Sequence, residues 1–168
     1  VILGVGGGIA AYKACDLLRR LIDLDFKVTV VPTPSSLNFV GSATWEALSG
    51  RSVTSEVFQS VEEVRHVSLA KRADFILIAP ATADLIARIA AGRADDLLTN
   101  VLLAAHVPTL IVPAMHPQMW NNAATVANVR TLRERGYKVL DPEVGALTSG
   151  DVGQGRFPAT SSILQSFA

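Results

Sequence analysis

Five short runs in this sequence are almost wholly apolar: residues 1–5, 26–31, 75–79, 109–112 and 137–140. The first ends in glycines, and the next three are stopped by Pro32, Pro80 and Pro113. A strand with one wet face alternates apolar and polar residues, whereas an unbroken apolar strand is covered on both faces. Helical spacing fills the gaps. Ala10, Ala14, Leu17, Leu18 and Leu21 share one face of residues 9–23. Residues 39–48, 83–91, 96–105 and 122–135 also read as helices, with Gly50 ending the second of these five and Gly136 a C-cap for the last. Strands alternating with helices through right-handed crossovers give an α/β protein. The expected architecture is one open, doubly wound parallel sheet in three layers, a single domain over residues 1–168. Residues 147–158, rich in Gly, Ser and Thr, read as a flexible loop.

Composition narrows the function classes. Hydrophobic residues are 49% of the chain and charged residues 18%, as a doubly covered sheet or an apolar subunit interface requires. The 15 basic and 15 acidic residues cancel, without a basic cluster, which argues against nucleic acid as a main partner. One cysteine, Cys15, allows no internal disulfide and no multi-cysteine metal site, and fits a reducing cytoplasm. No apolar run is long enough for a membrane span. The chain opens on Val1-Ile2-Leu3 with no Met, which reads as a trimmed start, and no signal peptide is visible.

In an open parallel sheet, ligands bind beyond the carboxyl ends of the strands. The loops to read are therefore 6–8, 33–36, 80–84 and 113–120. Gly6-Gly7-Gly8-Ile9 opens the first helix, where glycines let backbone approach a phosphate or a flat ring. A tight strand-to-helix turn would need the same residues. A dinucleotide would also call for an acidic residue closing the second strand. Here Thr33, Ser35 and Ser36 stand instead, which disfavours NAD(P) and suits the terminal phosphate of a mononucleotide; helix capping by these hydroxyls is the plainer reading. Thr82 and Asp84, after Pro80 and Ala81, read equally as an N-cap or a cofactor wall. Met115, His116, Met119 and Trp120 stand together between two prolines, as a functional loop or as gap-filling core. His66 and His106, taken singly, are more often structural, and His106 sits where a helix C-terminus favours it.

Taken together, the Gly-rich loop, the lone His66, Pro80-Ala81-Thr82-Ala83-Asp84 and the P-x-M-x-x-x-M-W pattern ending at Trp120 resemble the flavin-containing cysteine decarboxylases over essentially the whole chain. That family includes phosphopantothenoylcysteine decarboxylase of coenzyme A synthesis and the peptidyl-cysteine decarboxylases. The overall wording looks closest to the decarboxylase half of actinobacterial bifunctional coenzyme A enzymes. The resemblance implies a Rossmann-like, flavodoxin-like fold and FMN held at a subunit interface of a homo-oligomer, a trimer or trimers assembled into a dodecamer. It places Gly7, Gly8, Ile9, Thr33, Ser35, Ser36, Pro80, Ala81, Thr82 and Asp84 around the flavin. His66 becomes the catalytic base, while His116, in place of the family's usual Asn, grips the substrate carboxylate. Met115, Met119 and Trp120 shape the substrate pocket.

Many coenzyme A decarboxylases carry a Cys before a G-x-G-R stretch; here Ser149 stands at that place, as in the peptidyl enzymes, which lack the Cys. The actinobacterial enzymes share both the His and the missing Cys. Serine is a weak acid, so the expected product is the oxidised aminoenethiol, with loss of CO₂ and two hydrogens. The first expectation for the substrate is a peptide C-terminal cysteine; phosphopantothenoylcysteine is the alternative. A non-catalytic flavin-binding regulatory subunit is a third reading, opposed by the presence of His66.

Overall fold

The computed structural model describes residues 1–55 and 64–167. Strands β1 (Ile2–Val5), β2 (Thr29–Pro32), β3 (Ile76–Ala81), β4 (Thr109–Pro113) and β5 (Lys138–Val139) form one parallel sheet in the order β2-β1-β3-β4-β5. This is the order of flavodoxin-like sheets, and it reverses between β1 and β3. The strands are buried throughout apart from half-buried Thr29 and exposed Lys138. Successive side chains point to opposite faces. Thus Ile76 and Ile78 join one core cluster, and Leu77 and Ala79 the other.

On the second of these faces lie α1 (Lys13–Asp23), entered through a 3-10 turn at Ile9–Tyr12, and α2 (Ser42–Ser49). The opposite face carries α3 (Arg65–Arg72), α4 (Ala83–Ala90) and α5 (Leu97–Ala104). After β4 come the single turn α6 (Pro117–Trp120) and α7 (Ala123–Glu134), the latter on the same side as α4. The last helix, α8 (Thr160–Phe167), returns to the α1 side. Among the described residues no helix is long and apolar enough to cross a membrane.

Three differences from the sequence reading have local causes. β3 does not stop at Pro80: it continues to Ala81 through a register shift. Proline cannot donate to a ladder but can still accept, and the Pro80 carbonyl takes the Gly6 N–H at 2.9 Å. Phe26 and Phe75 fall outside the strands; their rings lie 5.1 and 4.2 Å from that of Phe167 on α8. They serve helix packing rather than the sheet.

The third difference corrects the flexible loop expected over 147–158. Strands β6 (Glu143–Ala146) and β7 (Val152–Arg156) make an antiparallel hairpin there. Its glycines permit docking rather than looseness. A Cβ on Gly155 would run into the Met115 carbonyl oxygen, and one on Gly153 would lie 2.7 Å from Pro117 Cγ. The Met115 N–H donates to the Gly155 carbonyl at 2.9 Å, which fastens the hairpin over the β4 loop.

Candidate active site

The β1 and β2 loops touch at one point. A Cβ on Gly7 would overlap the Ser35 hydroxyl, so the approach requires glycine. Thr33 and Ser36 are buried and build the turn: Ser36 Oγ donates to the Thr33 carbonyl at 2.7 Å, and the Ser36 N–H donates to Thr33 Oγ1 at 3.2 Å. Ser35 is exposed, its hydroxyl 3.3 Å from that of Thr33. Among the described residues, the N–H groups of Gly7, Ile9 and Ala10 have no partner. Three unpaired donors beside an exposed hydroxyl, at a turn where only glycine at position 7 lets Ser35 approach, fit a phosphate.

The β3 loop divides its roles. Pro80 faces the cleft described below, while Ala81 is fully buried. Thr82 caps α4, its Oγ1 accepting from the Leu85 N–H at 3.1 Å. Asp84 is turned outward to Arg88 at 3.0 Å. The helix-capping reading of Thr82 therefore holds, and its methyl group still lies close to Gly8, where a Cβ would come within 3.3 Å.

A cleft of about 250 Å³ opens at the carboxyl edge of the sheet on the α1 side, walled by Gly8, Ile9, Pro80, Met115, His116 and Ser149. It thus joins the β1, β3 and β4 loops to the hairpin turn. His116 is held at both nitrogens. Its Nδ1 accepts from the Gln118 N–H at 3.1 Å, and its Nε2 lies 2.8 Å from Asp151 Oδ2. An Nδ1 that accepts carries no proton, so the ring is the Nε2–H tautomer and donates to the carboxylate. Ser149 Oγ donates to the same carboxylate oxygen at 2.9 Å. The hydrogen bond from His116, then that from Ser149, holds the Asp151 carboxyl below the usual carboxylate range.

The remaining expected residues lie apart. Met119 is 49% exposed, and Trp120 packs half-buried against the other core cluster, beside a groove with Val126 and Arg130. His66 is not among the residues lining the cleft. It occupies the first turn of α3, half-buried, and that helix packs on the face opposite α1. Because α3 leads back into β3, its N-terminal end lies at the carboxyl edge of the sheet. His66 and His116 therefore both lie toward that edge, but His66 does not reach the cleft that His116 lines. Sequence reasoning missed Tyr12, Lys13, Asp151, Arg156 and Phe157. Asp151 is next to the Ser149 already singled out; Lys13 lies one helical turn beyond the glycine loop.

Among curated proteins, the chain is 57% identical over 163 residues to the coenzyme A biosynthesis bifunctional protein CoaBC of Mycobacterium tuberculosis, covering 97% of this chain and 39% of that protein. The chain thus spans about two fifths of the length of such relatives. Among solved structures, a cysteine-to-serine variant of a PPC decarboxylase complexed with pantothenoylaminoethenethiol superposes with a TM-score of 0.90 at 29% identity, over 99% of this chain and 94% of that one. The FMN-dependent cysteine decarboxylase SpaF superposes with a TM-score of 0.82 at 30% identity, over 99% and 96%. The family model described as Flavoprotein matches residues 1–168, and the chain belongs to that family.

Proposed function

We propose that this chain binds FMN and decarboxylates the cysteine carboxylate of phosphopantothenoylcysteine, as the decarboxylase unit of a coenzyme A synthesis enzyme. The observation that carries the reading is the junction at the reversal of strand order: a turn with unpaired N–H donors at Gly7, Ile9 and Ala10 and the exposed Ser35 hydroxyl leads directly into Gly8 and Ile9, which wall a cleft together with Met115, His116 and Ser149. Family membership and the 57% identity to a coenzyme A protein support it. The peptide C-terminus, placed first on sequence, is the less supported substrate, since the relative at 57% identity is a coenzyme A biosynthesis protein.

Bound FMN would supply an acceptor for hydride from the sulfur-bearing carbon, which makes that carbon a sink for the electrons left by CO₂. Gly7, Gly8, Ile9 and Ser35 would hold its phosphate end, with buried Thr33 and Ser36 shaping the turn behind Ser35, and Pro80 would form the adjoining wall, with Ala81 and the capping Thr82 behind it and Asp84 turned away. His116 has its Nε2–H occupied by Asp151, so the substrate carboxylate takes that donor by displacing one carboxylate with another. Met115 and the hairpin turn narrow the space around it. His66 acts as base toward the thiol, which is mostly un-ionised at neutral pH because a free thiol titrates near ~8.5. Its place outside the cleft lining favours delivery from a neighbouring copy, in keeping with the homo-oligomer implied by the family resemblance.

The coenzyme A substrate reverses the product expected from Ser149 alone. The thiol arm of coenzyme A is saturated, so the electrons must return to the product and only CO₂ is lost. The test is mass spectrometry of products from the FMN-loaded protein. Phosphopantothenoylcysteine should lose CO₂ alone, and a peptide ending in Cys should be turned over at least tenfold more slowly. Preferred turnover of the peptide, or turnover of neither, would overturn the reading.

A further inference from the structure

The cleft does not end at Ile9. A second cavity of about 260 Å³ adjoins it, and Tyr12, Lys13, Arg156 and Phe157 line both. From the geometry we infer that Lys13 and Arg156 together bind a phosphomonoester at the far end of the substrate. The inference rests on the decarboxylase reading for which end of the substrate lies at His116.

Several observations converge on the two cations. The side chains of Lys13 and Arg156 make no hydrogen bond or ion pair among the described residues. Lys13 opens α1 directly after the 3-10 turn and lines both cavities. Two carboxylates, Asp16 and Glu143, also line the second cavity, but each is bonded to other donors. Asp16 Oδ2 accepts from Arg20 Nε and from Thr160 Oγ1, each at 2.9 Å. Those bonds, that from Thr160 first, hold its carboxyl below the usual range. Glu143 Oε1 accepts from the Ala159 N–H at 3.1 Å.

Arg156 is also given room. Gly145, across the hairpin, would place a Cβ 3.0 Å from the Arg156 guanidinium and 3.1 Å from its Cδ, so a glycine there lets the side chain lie over the strand. Buried Phe157 forms an apolar floor between the cavities. A ligand with its carboxylate at His116 would run along this floor to a doubly charged end between a lysine and an arginine. A phosphomonoester carries roughly −1.5 to −2 at neutral pH and accepts bidentate arginine bonds, which a single carboxylate matches in only half the charge. The turn at Gly7 and Ser35 lines neither cavity, so it serves as a separate anion site and the FMN and substrate phosphates do not compete.

Calorimetric titration of the FMN-loaded protein with phosphopantothenate and with pantothenate reads the site without turnover. Wild type should bind the phosphorylated ligand at least tenfold more tightly. In Lys13→Gln and Arg156→Gln that preference should fall at least threefold each, and it should vanish in the double variant. Equal binding of the two ligands by wild type would overturn the inference, as would variants that weaken both ligands alike. Loss of FMN from Lys13→Gln, followed by flavin absorbance, would overturn it too, by assigning Lys13 to the flavin phosphate. Phosphate preference without any decarboxylation would uphold this site and reject the decarboxylase reading. Decarboxylation of the phosphorylated and unphosphorylated cysteine substrates with equal KM would do the reverse.

Discussion

The imidazole of His116 and the carboxylate of Asp151 meet at 2.8 Å, from Nε2 to Oδ2, across 35 residues of sequence. The contact ties the β4 loop to the hairpin turn. It also decides which donor an incoming carboxylate can find, because Nδ1 is already spent on the Gln118 N–H. Nitrogen-15 spectra of the wild type at neutral pH should therefore show His116 as the Nε2–H tautomer. Asp151→Ala should keep that tautomer, because the Gln118 N–H still holds Nδ1, while freeing the Nε2–H for an incoming anion; a wild-type Nδ1–H tautomer would contradict the arrangement.

The same contact has a pH signature. Asp151 titrates below its ordinary range in the folded chain because His116, then Ser149, bonds the charged form. A depressed carboxylate stabilises the fold above the unfolded-state pKa, and that contribution fades as pH falls through the folded value. Amide exchange in residues 147–151 should thus stay constant from pH 7 to about 5 after correction for intrinsic rates, then rise relative to that baseline in more acid solution. Asp151→Asn should remove the acid-dependent part. Both side chains are partly exposed, so the effect is local rather than a loss of global stability.

Gly7 should be replaceable only together with Ser35. Its backbone is not in the left-handed region, so alanine is barred by contact with Ser35 and not by conformation. Gly7→Ala should lower the melting temperature and weaken FMN binding at least tenfold. Adding Ser35→Gly should restore most of the melting temperature but only part of the flavin affinity, because the exposed hydroxyl goes with it. A double-mutant cycle with no coupling would show that the loops do not touch there.

Much of this site was legible because parallel sheets concentrate function in loops that follow apolar runs. The positions of Gly7, Ser35, Pro80 and His116 followed from that rule. The hairpin did not, because its residues lack strand alternation. Val144 and Val152 are 72% and 74% exposed, and β6 and β7 are held by docking on Met115 and Pro117 rather than by an apolar face. Asp151 and Arg156 were missed for the same reason, since their importance depends on where a polar strand docks. Thr82 and Asp84 carry residue types shared by caps and cofactor walls, and only the hydrogen bonds assign the capping role to Thr82.

A buried charge network behind the β3 loop sets a stability prediction. Asp96 is nearly buried, caps α5 through the Thr99 N–H at 2.8 Å, and pairs with Arg88 Nη1 at 2.9 Å. Burial works against the Arg88 charge, but the hydrogen bonds it donates to Asp96 and then to Asp95 and Asp84 more than offset it and raise its pKa. Arg88→Ala should cost on the order of 2–3 kcal/mol, since it strands a buried carboxylate while leaving its capping bonds. Asp95→Asn, at an exposed partner, should cost under about 1 kcal/mol. Urea denaturation of both variants measures the contrast, and equal costs would reject the central role of Asp96.

His66 does not line the cleft that His116 walls, so a site using both is most simply built between copies. His66→Asn and His116→Asn should each be inactive as separate homo-oligomers. Co-refolding them at equal ratio should then restore about one quarter of wild-type activity, the chance that a site joins an intact His66 from one copy to an intact His116 from its neighbour. Light scattering on the mixture should show a closed homo-oligomer such as a trimer. If each site used both histidines of a single copy, no mixture could contain an intact site, and co-refolding would restore nothing.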